Sequence, residues 1–300
     1  MSTATFFLVL CACVSLQLKQ AIIAYGQTGT GKTHTMMGTP EDPGVTFRSI
    51  NHLLETCKGN DSVEYTITVE QVEVYLDKLV DLLSGKPVSH QVCTIQGGKV
   101  VGLEQRIVNT TEEVFAVMEE GKANRKVAST AMNSESSRSH LVVFITVTGY
   151  DKVTCKTSTA KLTLVDLAGS ERLDKVHDAN NAVRLAETVS INKSLAALGL
   201  VFSSIHAGAK HVPFRNSKLT HILQEVMTID TKVCIFMHVS SAVANLGETL
   251  STIRFGGTIS TIEQYGKGNP KAKVDKALKG GGGTGVGAVK AKWNASGSKA

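Results

Sequence analysis

The segment Gly26-Gln27-Thr28-Gly29-Thr30-Gly31-Lys32-Thr33 follows an apolar run, Ala21 to Tyr25, and precedes a stretch able to open a helix. It satisfies the spacing G-x-x-x-x-G-K-[ST] at every fixed position. Glycines there let successive backbone N–H groups turn toward one anion. Lys32 is then placed to reach the β- and γ-phosphates of a nucleotide, and Thr33 to hold Mg²⁺. A hydrolysing site of this kind also needs an acid at the end of a neighbouring strand and a loop that detects the γ-phosphate. Asp166 ends the apolar run Lys161 to Asp166, and Gly169 follows at a point where a bare N–H can touch that phosphate. Asp166 by itself also fits a helix cap or a turn. A second polar loop, Asn133-Ser134-Glu135-Ser136-Ser137-Arg138-Ser139-His140, lies just before an apolar run from Leu141 to Thr148. Alone it reads as a solvated turn.

Elements that can position these loops are visible in the pattern. Strand-like runs occur at Ala21 to Tyr25, Val63 to Tyr75, Leu141 to Thr148, Lys161 to Asp166 and Lys232 to Val239, with helical patterns between several of them. The interleaving predicts an α/β fold around a central mixed sheet flanked by helices. Ile191, Leu195, Leu198, Phe202 and Ile205 form one apolar helical stripe, which turns Asn192, Lys193 and Ser194 toward other surroundings.

Composition narrows the function. The net charge of +6 suggests an acidic partner, yet residues 267–300 hold eight lysines against one acid, leaving the body one unit negative. That distribution argues against nucleic acid as the partner. The six cysteines form no C-x-x-C pair, which favours a reducing compartment over a zinc or disulfide framework. Residues 4–16 are apolar but lack a preceding cation and are too short to span a bilayer, so a core helix is expected and membrane insertion is not. Residues 263–300, rich in glycine and lysine, read as a disordered tail. No heptad pattern is present, so a monomer is expected.

Taken together, the GQTGTGKT loop, the run N-x-x-S-S-R-S-H ending at His140 and the DLAGSER run from Asp166 resemble the kinesin motor domain. Ser190 to Gly199, His211 to Thr220 and Glu248 to Phe255 resemble further kinesin segments, in kinesin order. The resemblance implies a P-loop motor fold over residues 21–262, after an atypical apolar segment at 1–20. It implies a Mg²⁺- and ATP-dependent hydrolase that acts on microtubules in the cytoplasm. Gly26, Gln27, Thr28, Gly29, Thr30, Gly31, Lys32 and Thr33 would cradle the nucleotide, with His34 near the adenine. Thr33, Ser137 and Asp166 would serve the metal shell, and Ser136 would place the attacking water. Gly169 would sense the γ-phosphate, while Arg138 and Glu171 would pair as a latch between the two loops. Asn192, Lys193, Arg215 and Lys218 would face the acidic surface of tubulin.

Departures from the pattern set further expectations. None of the five prolines follows an R-x-R, so the adenine-holding stretch of the family is absent, and the first strands of its sheet are expected to be missing. An uncovered sheet edge should result. The same gap leaves a second reading open, a non-hydrolysing microtubule-binding protein or an inactive motor fragment. A metabolic P-loop kinase is disfavoured by the SSRSH and DLAGSER runs.

Overall fold

The computed structural model describes residues 19–39, 41–59, 61–85, 93–132, 136–171, 182–227 and 231–260, with backbone alone at 126–132 and 136. The helix expected at 4–16 and the tail from 263 lie outside these residues.

The strands are β1 (Lys19–Gly26), β2 (Val63–Tyr75), β3 (Lys78–Asp81), β4 (Thr94–Gln96), β5 (Lys99–Val101), β6 (Arg106–Ile107), β7 (His140–Asp151), β8 (Lys156–Asp166) and β9 (Thr231–His238). The helices are α1 (Lys32–Met36), α2 (Val45–Lys58), α3 (Thr111–Met132), α4 (Ala182–His206), α5 (Lys218–Leu223) and α6 (Leu246–Ser260). All five predicted strands are present, and the predicted apolar stripe lies on α4. The short strands β3 to β6 and the helices α2 and α3 were not specified by the pattern.

Six strands run in the order β3-β2-β7-β8-β1-β9, and β6 adds to β2. β1 pairs in parallel with both β8 and β9, whereas β2, β7 and β8 are antiparallel neighbours. The sheet is therefore mixed, as the sequence predicts.

Alternation along the central strands builds two cores. Ile22, Ala24, Leu141, Val143, Ile145 and Leu164 face one side, where Phe47, Ile50, Leu53 and Leu54 of α2 and Val114 and Met118 of α3 cover them. Ala21, Ile23, Val142, Phe144 and Val165 face the other, under Ile191, Leu195, Leu198 and Phe202 of α4 and Leu219, Ile222 and Leu223 of α5. A two-residue period with both faces apolar can be satisfied only by helices on both sides. By length and composition α4 is apolar enough to cross a membrane, but the stripe it buries on the sheet is that of a core helix.

Among the described residues β9 pairs only with β1. Its residues Val233 to His238 are half-buried. Beside it, α6 exposes Leu246, Leu250 and Ile253 at helical spacing.

At the end of the sheet opposite the glycine loop, Glu225 ties the segment after α5 to two strands. It accepts from Lys161 at 3.0 Å and Lys19 at 3.3 Å, and Lys161 also lies 4.3 Å from the Phe144 ring centre. Burial alone would raise the Glu225 carboxyl, but the Lys161 and Lys19 ammoniums outweigh it and hold it below the usual carboxylate range. A depressed folded-state value means stability fully present above the unfolded value near 4.5 and lost as pH falls through the lower folded one. Glu225→Gln should therefore cost about 1–3 kcal/mol at pH 7. Urea unfolding of the two proteins should show that difference shrinking as the pH is taken down from about 4.5.

Candidate functional site

The site lies at the carboxyl ends of β1 and β8, where parallel register sets Ala24 opposite Asp166. β1 ends at Gly26, and the loop turns through Gly31 at φ +92°, a left-handed conformation suited to glycine, before α1 begins at Lys32. The Gln27 carbonyl gathers the loop. It accepts from the Thr30 hydroxyl at 2.7 Å and from the Lys32 ammonium at 2.9 Å. Lys32 is buried, which pulls its pKa down, while Asp166 and Glu171 act in the opposite direction.

The segment after β8 is stitched to its neighbours by its backbone. Leu167 N–H donates to Ala24 O at 3.3 Å, Gly169 N–H to Ser137 O at 2.9 Å, and Ser170 N–H to Gly26 O at 3.1 Å. One loop thus touches both the glycine loop and the short 3-10 turn Ser136–Arg138. A Cβ added at Gly169 would fall 2.2 Å from Thr28 Oγ1 and 2.3 Å from Glu171 Oε2, so the position admits only glycine without displacement. The sequence-predicted residues of the glycine loop, Ser137, Asp166, Gly169 and Glu171 are therefore brought together.

Asp166 is 3% exposed. Its Oδ2 accepts from the Thr33 hydroxyl at 2.7 Å, whereas its Oδ1 is buried and has no hydrogen-bond partner. A buried, half-satisfied carboxylate beside a hydroxyl fits a hard cation held through oxygen. Among the described residues no cluster of three His, Cys, Asp or Glu side chains forms a cage. That donor set suits Mg²⁺, which takes few protein ligands and completes its shell with phosphate and water.

The two residues of the predicted latch each have another partner. Arg138 donates to Glu187 of α4 at 2.9 Å, and Glu171 instead accepts from the backbone N–H of Thr28 at 2.9 Å and from the Thr28 hydroxyl. The physical reason lies in burial. The Glu187 side chain is 0% exposed, so its charge requires a cation, and Tyr75 OH supplies a further donor at 2.7 Å. Glu171, partly exposed, satisfies a loop N–H that points where an anion belongs.

Beneath Asp166 lies a buried network missed in the sequence. Arg125 of α3 approaches Asp166 Oδ2 at 3.7 Å and Glu73 Oε1 at 3.4 Å, and donates to Ser139 O at 3.0 Å. Ser139 donates in turn to Glu73. Glu73 and Gln71, on the same buried register as Ile67, Val69 and Tyr75, were the available signal, since such groups stay buried only with partners.

The remaining predicted residues lie elsewhere. His34 is exposed, with Nε2 3.8 Å from Asp42. On the α4 side, Lys193 reaches Asp77 Oδ2 at 3.4 Å, and the Lys218 N–H donates to Asp77 Oδ1 at 2.7 Å. Asp77, in the tight β2–β3 turn at φ +57°, was not singled out in the sequence, yet it joins two of the predicted surface cations. Arg215 is exposed on the turn Phe214–Asn216, and Asn192 is partly buried with its Nδ2 unpartnered. The His221 pKa is pushed down chiefly by burial and then by Arg215 and Lys218.

The kinesin motor domain family matches residues 14–262. The chain is 41% identical over 265 residues to the kinesin-like protein KIN-14S of Arabidopsis thaliana, covering 86% of this chain and 34% of that protein. It is 38% identical over 244 residues to the kinesin-like protein klp-3 of Caenorhabditis elegans, covering 80% of this chain and 40% of that one. The chain therefore spans about a third of the length of such relatives. A solved structure of a fast kinesin superposes with a TM-score of 0.77 at 36% identity, over 84% of this chain and 73% of that one.

The Arg138–Glu187 pairing makes a stability prediction. Arg138→Ala strands a fully buried carboxylate and should cost about 3 kcal/mol or more in denaturant unfolding. Glu171→Ala should change stability by no more than about 0.5 kcal/mol. Equal losses from the two substitutions would mean that Glu187 is not the partner that matters.

Proposed function

The chain belongs to the kinesin motor-domain family, and on that premise we propose that it binds Mg-ATP, hydrolyses it and couples the reaction to microtubule binding in the cytoplasm. The observation that carries this reading is the stitching of one loop, Leu167 to Glu171, to both the glycine loop and the Ser136–Arg138 turn. A group arriving at the γ-phosphate position would displace contacts on both sides of that loop at once.

The loop donors and Lys32 are satisfied within the chain in ways that ATP would replace. Lys32 rests on the Gln27 carbonyl and would turn to the phosphates, and the N–H groups of residues 29–33 would meet them directly. Thr33, Ser137 and Asp166 would hold Mg²⁺, which when bound neutralises phosphate charge. Glu171 would leave Thr28, and Arg138 would exchange Glu187 for Glu171 to close the latch. Ser136 would place the attacking water, with catalysis by positioning and charge stabilisation. Releasing Glu187 would alter the hold on α4, whose Lys193 and Asn192 we assign, with Arg215 and Lys218, to the microtubule contact.

The test is steady-state ATP hydrolysis by the 300-residue chain with and without polymerised microtubules at low salt. Turnover should be strongly stimulated by microtubules, and stimulation should weaken as ionic strength rises toward about 0.15 M. Lys32→Ala should abolish nucleotide binding. Glu171→Ala should retain it while lowering turnover by about 100-fold or more. Soluble protein with no turnover in either condition would overturn the hydrolytic reading, and equal turnover in Glu171→Ala would overturn the latch.

A further inference from the structure

We propose that His140 is a positioning residue that transmits the state of the nucleotide loop to α4 through its two ring nitrogens. The inference rests on the motor reading above and deepens it by naming the connection between hydrolysis and the track-facing helix.

His140 is the first residue of β7 and is 2% exposed. Its Nδ1 accepts from the backbone N–H of Ala168 at 3.0 Å, and its Nε2 lies 2.8 Å from Ser194 Oγ. Because a backbone N–H can only donate, Nδ1 carries no proton and Nε2 does. Nε2–H therefore donates to Ser194 Oγ, whose own proton goes to Ile191 O at 2.7 Å. Each proton along this path has one destination. Burial, followed by the charges of Arg125 and Lys32, pushes the imidazole down to about 3, so the ring is neutral throughout the range in which the protein would work.

The ends of this path give it meaning. Ala168 adjoins Gly169, whose N–H is fixed on Ser137 O, and Ser194 adjoins Lys193. A shift of the Leu167–Glu171 loop must either carry the imidazole with it or leave the buried Ala168 N–H unpaired. The ring in turn must move Ser194 or lose its second bond. The Arg138–Glu187 pair reaches α4 about two turns earlier, and in the proposed cycle it opens as the latch forms. Among the described residues the His140 path has no such competing partner, so it can persist while that pair exchanges.

Asparagine and glutamine separate the two bonds. His140→Asn keeps an acceptor near Nδ1 and removes the donor to Ser194, while His140→Gln keeps a donor near Nε2 and removes the acceptor for Ala168. Ser194→Ala cuts the far end with a residue that favours helix. In the full chain, all three should lower the ratio of microtubule-stimulated to basal ATP turnover about tenfold, within the 5–150-fold span of coupling between sites. The KM for ATP should stay within about twofold, and the His140→Asn/Ser194→Ala double variant should be no worse than either single one. Parallel loss of basal and stimulated rates, or an unchanged ratio, would overturn the proposal.

A second measurement covers variants that fold poorly and separates this proposal from the motor reading. Amide hydrogen exchange along α4 should respond to a non-hydrolysable ATP analogue in the wild-type chain, and Ser194→Ala should remove most of that response. A wild-type α4 indifferent to nucleotide, or a response intact in Ser194→Ala, overturns the role of His140. A wild-type chain with the exchange response but no microtubule stimulation overturns the motor reading while supporting the path.

Discussion

Parallel pairing of β1 with β8 is the constraint on which the rest of the molecule depends. Placing Ala24 opposite Asp166 makes both strands end at one level, so the glycine loop and the Leu167–Glu171 segment leave the sheet side by side. Loops at the carboxyl ends of adjacent parallel strands form a crevice without further construction. Three backbone hydrogen bonds, from Leu167, Gly169 and Ser170, then set the spacing of that crevice. Because these donors are backbone, no side-chain rotamer can absorb a displacement. The loop has two neighbours and moves relative to both or to neither.

Charge is organised in two layers around this crevice. On the α3 side, Arg125 is shared among Glu73, Ser139 and Asp166, holding one carboxylate oxygen of Asp166 within a buried network. On the α4 side, Glu187 is bound by Arg138 and Tyr75, and His140 joins Ala168 to Ser194. Burying this many polar groups is unfavourable unless all are paired, and a paired set resists rearrangement as a unit. The more exposed Glu171–Thr28 contact carries no comparable penalty and is the easiest of these bonds to break. That ordering makes the glycine loop the receptive part of the site and the buried layers its frame.

The legibility of the sequence followed the same division. Backbone-determined features were readable, because glycine spacing, strand alternation and the α4 stripe are local patterns with fixed periods. Thus β1, β2, β7, β8 and β9 were all anticipated, as was the meeting of Asp166 and Gly169 with the glycine loop. The partner of Arg138 was not readable. Selecting Glu187 over Glu171 depends on which carboxylate has lost its water, a property of the packed structure that spacing does not encode. Helix α3 was overlooked because its function is carried by Arg125, and the apolar contacts described for it come from its first turns. Likewise, β3 to β6 are too short for a period-two pattern to emerge.

Asp77 illustrates how a residue without a motif can organise a surface. A turn residue at positive φ between β2 and β3, it projects over the opposite edge from β9 and binds Lys193 of α4 and the first N–H of α5 together. Without that carboxylate, two neighbouring cationic elements would repel and their helices would be related only by apolar contacts, which fix separation better than rotation. With it, α4 and α5 share a common reference on the sheet. An acidic track meeting this face would compete with Asp77 for Lys193, so the ion pair that orients the helix in the free chain is also one that binding can exchange. Holding the Lys193 ammonium on Asp77 restricts that one flexible side chain in advance and so lowers the ordering cost a lysine otherwise brings to an interface.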